Sequence, residues 1–400
     1  RLAHGPTVWH HAKSAADEAD WIAQGALALH VEGVAFRDMA VLYRAHYASR
    51  PVEEALLRAE VPHAVHSGVP FFGRREIKDA LSYLRLVAYQ DDLDFARVAN
   101  VPKRNLGQRR MAFLRQQADE RGCSLYEALA LAADDDLFKR TKARQLLDLI
   151  ERFHSSYEGR PVSEVLAAVL SESGYERALR TEGSQERLDN LAELKQSVYE
   201  FETTCGEEVT LEHYLAHVAL FSNADAMDDA QDKVRLMTVH AAKGLEFRHV
   251  FLCSMSEGVL PSRKTSTPQG MEEERRLAFV AMTRARDGLY LTEAEGRSHE
   301  GAARYPSRFL LDIDPAALEF SDKPSDPQMA DARSVYALTD RWIADLVRDA
   351  RFSVGDRVVH AVFGAGRVSA VDTGKRAYEV EFDGMDTPRT ISFKAKLEEA

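Results

Sequence analysis

The spacing of apolar positions changes character several times along the chain. Over residues 8–66, strand-like runs alternate with helical stripes. Residues 17–29 repeat apolar side chains at helical spacing, and "MAVLYR" (39–44) predicts a strand. "SRPVEEALLRAEVP" predicts a capped helix stopped before Pro62, and "HAVHSG" a short strand ended by Gly68. From about 70 to 230 the pattern is helical almost throughout. "REIKDALSYLRLVAYQ", "RRMAFLRQQADERG", "KARQLLDLIERFHSSYEG", "VSEVLAAVLSESGYERAL" and "ERLDNLAELKQSVYEFET" all carry apolar stripes. From 231 to 313 strands return: "VRLMTV" and "VFLC" flank a polar turn, followed by a helix, "EEERRLAFVAMTRAR", and a strand, "GLYLTEA". The expected fold class is α/β, with its sheet formed by 1–68 and 231–313 and interrupted by a helical insertion over 69–230.

Two segments follow. Residues 314–351 carry eight acidic and five basic side chains with Pro315, Pro324 and Pro327, which predicts a linker with little reason to pack. Residues 352–400 show short alternating strands broken by Gly355, Gly364, Gly366, Gly374 and Gly384, which predicts a small β-barrel. Its seven basic and eight acidic residues give it no electrostatic footprint for DNA.

Bulk properties narrow the chemistry. With 400 residues, 45% hydrophobic content and a net charge of -12, the chain has enough apolar material for real cores. Any attraction to nucleic acid must come from a local patch. Cys123, Cys205 and Cys253 lie far apart, without ligand or disulfide spacing, which suits a reducing, cytoplasmic setting. No apolar run approaches the length of a membrane span, so no membrane partner is expected. The first residue is arginine, and the chain is expected to be part of something longer.

Several candidate sites are decoys. "DEAD" (17–20) lacks the buried strand that a Walker B acid pair needs before it, and is expected to be a solvated helix start. His10 and His11 are adjacent rather than one helical turn apart, and no HExxH, CxxC or GxSxG pattern occurs, so no metal site is expected. "TVHAAKGLEF" (238–247) sets His240, Lys243, Gly244 and Glu246 in a turn between two buried strands, without the order of a phosphate-binding P-loop. "MEEERRLAFVAMTRAR" ends an apolar helix in Thr-Arg-Ala-Arg, from which a planar, permanently charged guanidinium could reach a phosphate. Between residues 95 and 118 lie six cations (Arg97, Lys103, Arg104, Arg109, Arg110, Arg115) and no acid, the local patch best suited to DNA phosphates.

Taken together, "VRLMTVHAAKGLEFRHVFL" and "EEERRLAFVAMTRAR" resemble the last two signature motifs of the UvrD/Rep/PcrA family of superfamily 1 DNA helicases. "DMAVLYRAHYASRPVEEALLRAEVPHAVHSGVPFFGRREIKDALSYLRL" resembles the segment leading from the family's second motor domain into its helical insertion. The resemblance implies a RecA-like motor domain without its own P-loop and, for 352–400, an SH3/Tudor-like barrel. It implies that Arg284 is the arginine finger meeting the γ-phosphate of ATP, and that Gly244 and Glu246 lie at the nucleotide. It also implies that Arg44, Thr238 and His240 face single-stranded DNA. The family has a Gly-Ile-Gly turn that meets duplex DNA, and here the turn reads Asn105-Leu106-Gly107, flanked by Lys103, Arg104, Arg109 and Arg110. His46 stands where many members have Asn.

The implied activity is that of an ATP- and Mg²⁺-dependent, 3′-to-5′ helicase or translocase acting in DNA repair or replication. ATP and Mg²⁺ would be held mainly by an N-terminal RecA-like domain carrying the P-loop. The implied partners are that domain, single-stranded DNA, duplex/single-strand junctions and, through 352–400, RNA polymerase. Phe363, Tyr378 and Phe393 are the candidates for an aromatic groove there. The alternative from another class is a stand-alone, non-enzymatic DNA- or polymerase-binding module that kept the helicase scaffold.

Overall fold

The computed structural model describes residues 5–66, 68–205, 209–222, 232–297, 302–348, 351–372, 377–385, 387–393 and 395–399. Seven strands form one parallel sheet: β1 (Thr7–Ala12), β2 (Met39–Tyr43), β3 (His63–Val65), β4 (Val234–Thr238), β5 (Phe247–Leu252), β6 (Ala285–Ala294) and β7 (Glu319–Phe320). Their order is β3-β4-β2-β5-β6-β1-β7. The sheet therefore draws its strands from both sides of a long helical stretch, and β4 and β5 sandwich β2. Every residue of β2 is buried, as a strand covered on both faces requires.

The pleat divides those residues between two layers. Met39, Val41 and Tyr43 pack with Ile22 and Ala26 of α1 (Ala15–Val31) and with Val52 and Leu56 of α2 (Arg50–Arg58). Ala40 and Leu42 face the opposite core, which holds Ala278 and Ala281.

The helical stretch comprises α3 (Arg75–Tyr89), α4 (Asp92–Val98), α5 (Gln108–Arg121), α6 (Leu125–Ala132), α7 (Ala143–His154), α8 (Val162–Glu172), α9 (Tyr175–Thr181), α10 (Gln185–Thr204) and α11 (Leu211–Ser222). These share a separate core that includes Tyr83, Phe95, Ile150, Leu166 and Tyr214. "VSEVLAAVLSESGYERAL" is two helices rather than one, because Gly174 takes φ +78 between α8 and α9. Polar contacts fasten this body to the sheet domain: Arg50 of α2 bonds Glu193 at 2.7 Å and Glu200 at 2.6 Å, and Arg74 reaches Ser49 Oγ at 3.0 Å.

On the second face of the sheet lie α12 (Pro268–Met282), α13 (Arg308–Leu311) and α14 (Asp326–Arg348). The expected linker over 314–351 is corrected here. β7 joins the sheet edge beside β1, and α14 packs through Met329, Ala332, Tyr336 and Ile343. Arg308, paired with Glu257 at 2.7 Å, also reaches Asp340 on α14.

The C-terminal segment forms a five-stranded antiparallel sheet, order β11-β10-β9-β8-β12. Its strands are β8 (Arg357–His360), β9 (Gly364–Asp372), β10 (Ala377–Phe382), β11 (Arg389–Ser392) and β12 (Leu397–Glu399). Tyr378 is not available for an aromatic groove. It is buried beside Phe352, and its hydroxyl accepts the backbone N–H of Arg351 at 2.6 Å.

The "DEAD" segment needs a partial correction. Ser14 caps α1, and Asp17 and Asp20 are exposed, but Glu18 turns inward. It accepts hydrogen bonds from Thr292 Oγ1 at 2.6 Å and Ser254 N at 2.7 Å. Burial lifts its carboxyl above the ordinary range, and those two bonds oppose the shift. A raised folded-state value means its contribution is fully present below the unfolded value and is lost as pH rises through the folded one. Glu18→Gln keeps the acceptor oxygen without the charge. It should therefore raise the thermal midpoint at about pH 8, with the gap closing toward about pH 4 as Glu18 takes up its proton. Identical midpoints at both ends would contradict this.

Candidate functional site

Because all seven strands run parallel, the sheet has one C-terminal edge and one N-terminal edge, and the candidate residues divide between them. At the C-terminal edge, Tyr43 of β2 pairs in register with Thr238 of β4, and Val239 N donates to Tyr43 O at 2.9 Å. Arg44, Thr238 and His240 are thus neighbours. Thr238 is buried and shapes the turn, its hydroxyl accepting Ala241 N at 3.2 Å. His240 is exposed, so it is not a core histidine. Partial desolvation of the ring, then the nearby Arg44 charge, holds its pKa below the usual histidine value, with Glu274 and Glu273 opposing. A neutral imidazole faces outward there at neutral pH. Arg44 is half-buried and bound to Glu274, Nη2 donating at 2.7 Å and Nε at 3.0 Å.

Beyond Thr238 the chain turns through residues 239–246 and enters β5 at the opposite edge. Gly244 closes that turn with φ +88, a left-handed conformation that side chains rarely adopt. At the N-terminal edge, Phe247 pairs with Ala285, and Phe247 N donates to Arg284 O at 2.9 Å, so Glu246 and Arg284 lie side by side. The Arg284 guanidinium donates to Val280 O at 2.9 Å, Leu245 O at 3.0 Å and Thr283 Oγ1 at 3.0 Å. Those three bonds leave two of its five N–H groups beyond the described partners, enough to meet a phosphate oxygen. Glu246 is exposed and accepts from Arg286 Nε at 2.8 Å. An anionic nucleotide fits this edge through Arg284. Among the described residues no group of three His, Cys, Asp or Glu is placed to hold a metal ion.

The basic stretch separates into different roles. Lys103 and Arg109 are exposed. Arg104 is buried, and its guanidinium reaches the carbonyls of Val98 (2.9 Å), Val101 (3.0 Å) and Ser173 (3.2 Å) and the Tyr83 hydroxyl (2.7 Å). Its expected place among the DNA contacts is therefore corrected: its guanidinium is taken up by carbonyls of the 98–102 turn and of Ser173 at the end of α8. Arg110 is half-buried, donating to Leu137 O at 2.7 Å and Asn105 O at 2.8 Å. Asn105 takes φ +62, and Gly107 caps the start of α5 with nothing within 4 Å of where a Cβ would stand. Backbone at Gly107 is open to close approach.

The UvrD-like helicase C-terminal domain family matches residues 5–296. The chain belongs to this family. It is 35% identical over 398 residues to DNA helicase II of Escherichia coli (strain K12), covering 96% of this chain and 54% of that protein. It is 32% identical over 409 residues to ATP-dependent DNA helicase PcrA of Staphylococcus aureus (strain MRSA252), covering 98% of this chain and 56% of that protein. The chain thus spans about half the length of the curated relatives it matches. Sequence reasoning passed over Glu274 and Glu18. Each sits in an acidic run whose inward-facing member shows no signal of its own.

Proposed function

We propose that this chain is the second motor domain, helical insertion and C-terminal module of an ATP-dependent 3′-to-5′ DNA helicase or translocase of repair or replication. The observation that carries the reading is the path of residues 238–247. They run from an edge presenting Arg44 and His240, where Thr238 shapes the turn, to an edge presenting Glu246 and Arg284, so one short segment touches both. Single-stranded DNA lies across the first edge and ATP against the second, where an N-terminal motor domain supplies the P-loop. Bound ATP with Mg²⁺ supplies a transferable phosphoryl group. Arg284 stabilises the charge that develops on it, Glu246 lies toward the ribose, and Gly244 keeps the turn's backbone close.

His240 then meets DNA as a neutral ring, stacking on a base rather than pairing with a phosphate. His240→Ala should weaken single-strand binding by about 1–3 kcal/mol, the range for removing one stacking partner, without altering its salt dependence. Titrations at several salt concentrations check both, and a reduced slope would contradict the neutral contact.

The turn from Lys103 to Arg110 grips duplex DNA ahead of the junction, through Lys103, Arg109 and the backbone of Asn105 and Gly107, with Arg110 shaping the loop. Replacing Lys103 and Arg109 by Ala should flatten the log–log salt slope of duplex binding by about 0.9 for each phosphate left without its cation. An unchanged slope would return both to the solvated surface. The C-terminal sheet serves as a Tudor-like protein-binding module, with RNA polymerase as the partner that the UvrD/PcrA resemblance implies. Phe363, half-buried and stacked on His360 at 4.8 Å, and Phe393, also half-buried, remain its groove candidates.

A further inference from the structure

Glu274 lies in α12 and is buried, 7% exposed. Its carboxylate accepts Arg44 Nη2 at 2.7 Å, Arg44 Nε at 3.0 Å and the backbone N–H of Ser262 at 3.1 Å. Three segments distant in sequence therefore meet on one side chain: the residue after β2, the loop after β5, and α12. A guanidinium held through two of its nitrogens is fixed in orientation as well as position, which a single hydrogen bond does not achieve.

Stability is a weak reason for such a pair, since a partly buried ion pair roughly breaks even against apolar packing. Met271, Ala278 and Ala281 already seat α12 in the core. The pair instead fixes register. Arg44 adjoins the turn that carries Thr238 and His240, and α12 runs from Glu274 toward Arg284 at the other edge of the sheet. The ten intervening steps span about 15 Å of stiff helix and its end. Glu274 thus sits where a movement at one edge is passed to the other.

We propose that Glu274 is a positioning residue that couples the DNA-facing edge to Arg284, acting through its bidentate hold on Arg44 and through α12. This rests on the helicase reading of the chain. A strand settling on the turn shifts Arg44, Glu274 follows, and the helix carries the shift to Arg284. Without the pair, DNA still binds and Arg284 is still present, but the second no longer responds to the first.

The test uses the full-length protein with its P-loop domain. Glu274→Gln keeps the shape and one acceptor oxygen and removes the charge. DNA-stimulated kcat should fall about ten-fold or more, within the usual range of coupling between sites, while DNA-independent turnover, KM for ATP and single-strand affinity change less than about two-fold. Adding Glu274→Gln to Arg44→Gln should lower stimulated turnover little further than Arg44→Gln alone, as for two members of one pair. If Glu274→Gln does not fold, Glu274→Asp keeps the charge but shortens the reach to Arg44 and should also reduce stimulation. Full stimulation in these variants, or an equal loss of basal and stimulated turnover, would overturn the coupling role. An unmutated protein without DNA-stimulated turnover would instead overturn the helicase reading itself.

Discussion

In the full-length protein, Arg284→Ala should lower ATP turnover by roughly 10³-fold or more while leaving ATP binding largely intact. The guanidinium stands at the N-terminal edge of the sheet, braced by Val280 O, Leu245 O and Thr283 Oγ1. Those carbonyl and hydroxyl contacts fix its plane before any ligand arrives, so reorganisation adds little cost when charge develops on the transferred group. An arginine acting mainly in the transition state should affect kcat much more than nucleotide affinity. Arg284→Lys should recover little, because a single ammonium cannot reproduce the three bracing bonds and still reach outward. Steady-state turnover alongside nucleotide binding separates the two effects. Turnover within a few-fold of the unmutated enzyme would remove Arg284 from the site.

The second large effect is on stability. Arg104→Ala should destabilise the chain by about 1–3 kcal/mol, the cost of stranding a buried acceptor. The side chain gathers the carbonyls of Val98, Val101 and Ser173 and the Tyr83 hydroxyl; Val98 O also accepts Val101 N, and Val101 O also accepts the Tyr83 hydroxyl, so Ser173 O is the carbonyl left without a described donor once it is gone. Lys103→Ala, one residue away and exposed, should be nearly neutral. Denaturant unfolding of both variants gives the contrast. If Arg104→Ala were as stable as the parent and selectively weakened duplex binding, the buried role assigned to Arg104 would be wrong.

Much of the sheet was legible because a strand buried on both faces must be a short apolar run. "MAVLYR", "VRLMTV" and "GLYLTEA" are such runs, and each contributes to a strand. The packing of 314–351 was hidden by its acids and prolines. Yet Met329, Ala332, Tyr336 and Ile343 recur at helical spacing, and that stripe is the face that α14 buries. A charge count reports how well a segment is solvated on average, while packing depends on where its few apolar residues fall.

The site was legible to a different degree. The resemblance puts Glu246 and Arg284 at the nucleotide, and the register of Phe247 with Ala285 makes the two neighbours at one edge of the sheet. Sequence could not say which cations of the 95–118 run turn inward. That depends on where the fold gathers carbonyls around the turn before α5, and Arg104 is the side chain that reaches them. Nor could it distinguish Glu274 from Glu272 and Glu273. The three differ in the helical face they occupy, and only Glu274 of the three is buried.

ATP turnover with and without single-stranded DNA, measured on the full-length protein and on the 400-residue chain, tests the central claim most directly. The full-length protein should hydrolyse ATP under stimulation by DNA and separate strands. The 400-residue chain should bind single-stranded DNA without hydrolysing ATP, because its sequence contains no P-loop pattern to hold the phosphates. A full-length protein that binds DNA but never hydrolyses ATP would contradict this account and identify the chain as a binding module on a helicase scaffold.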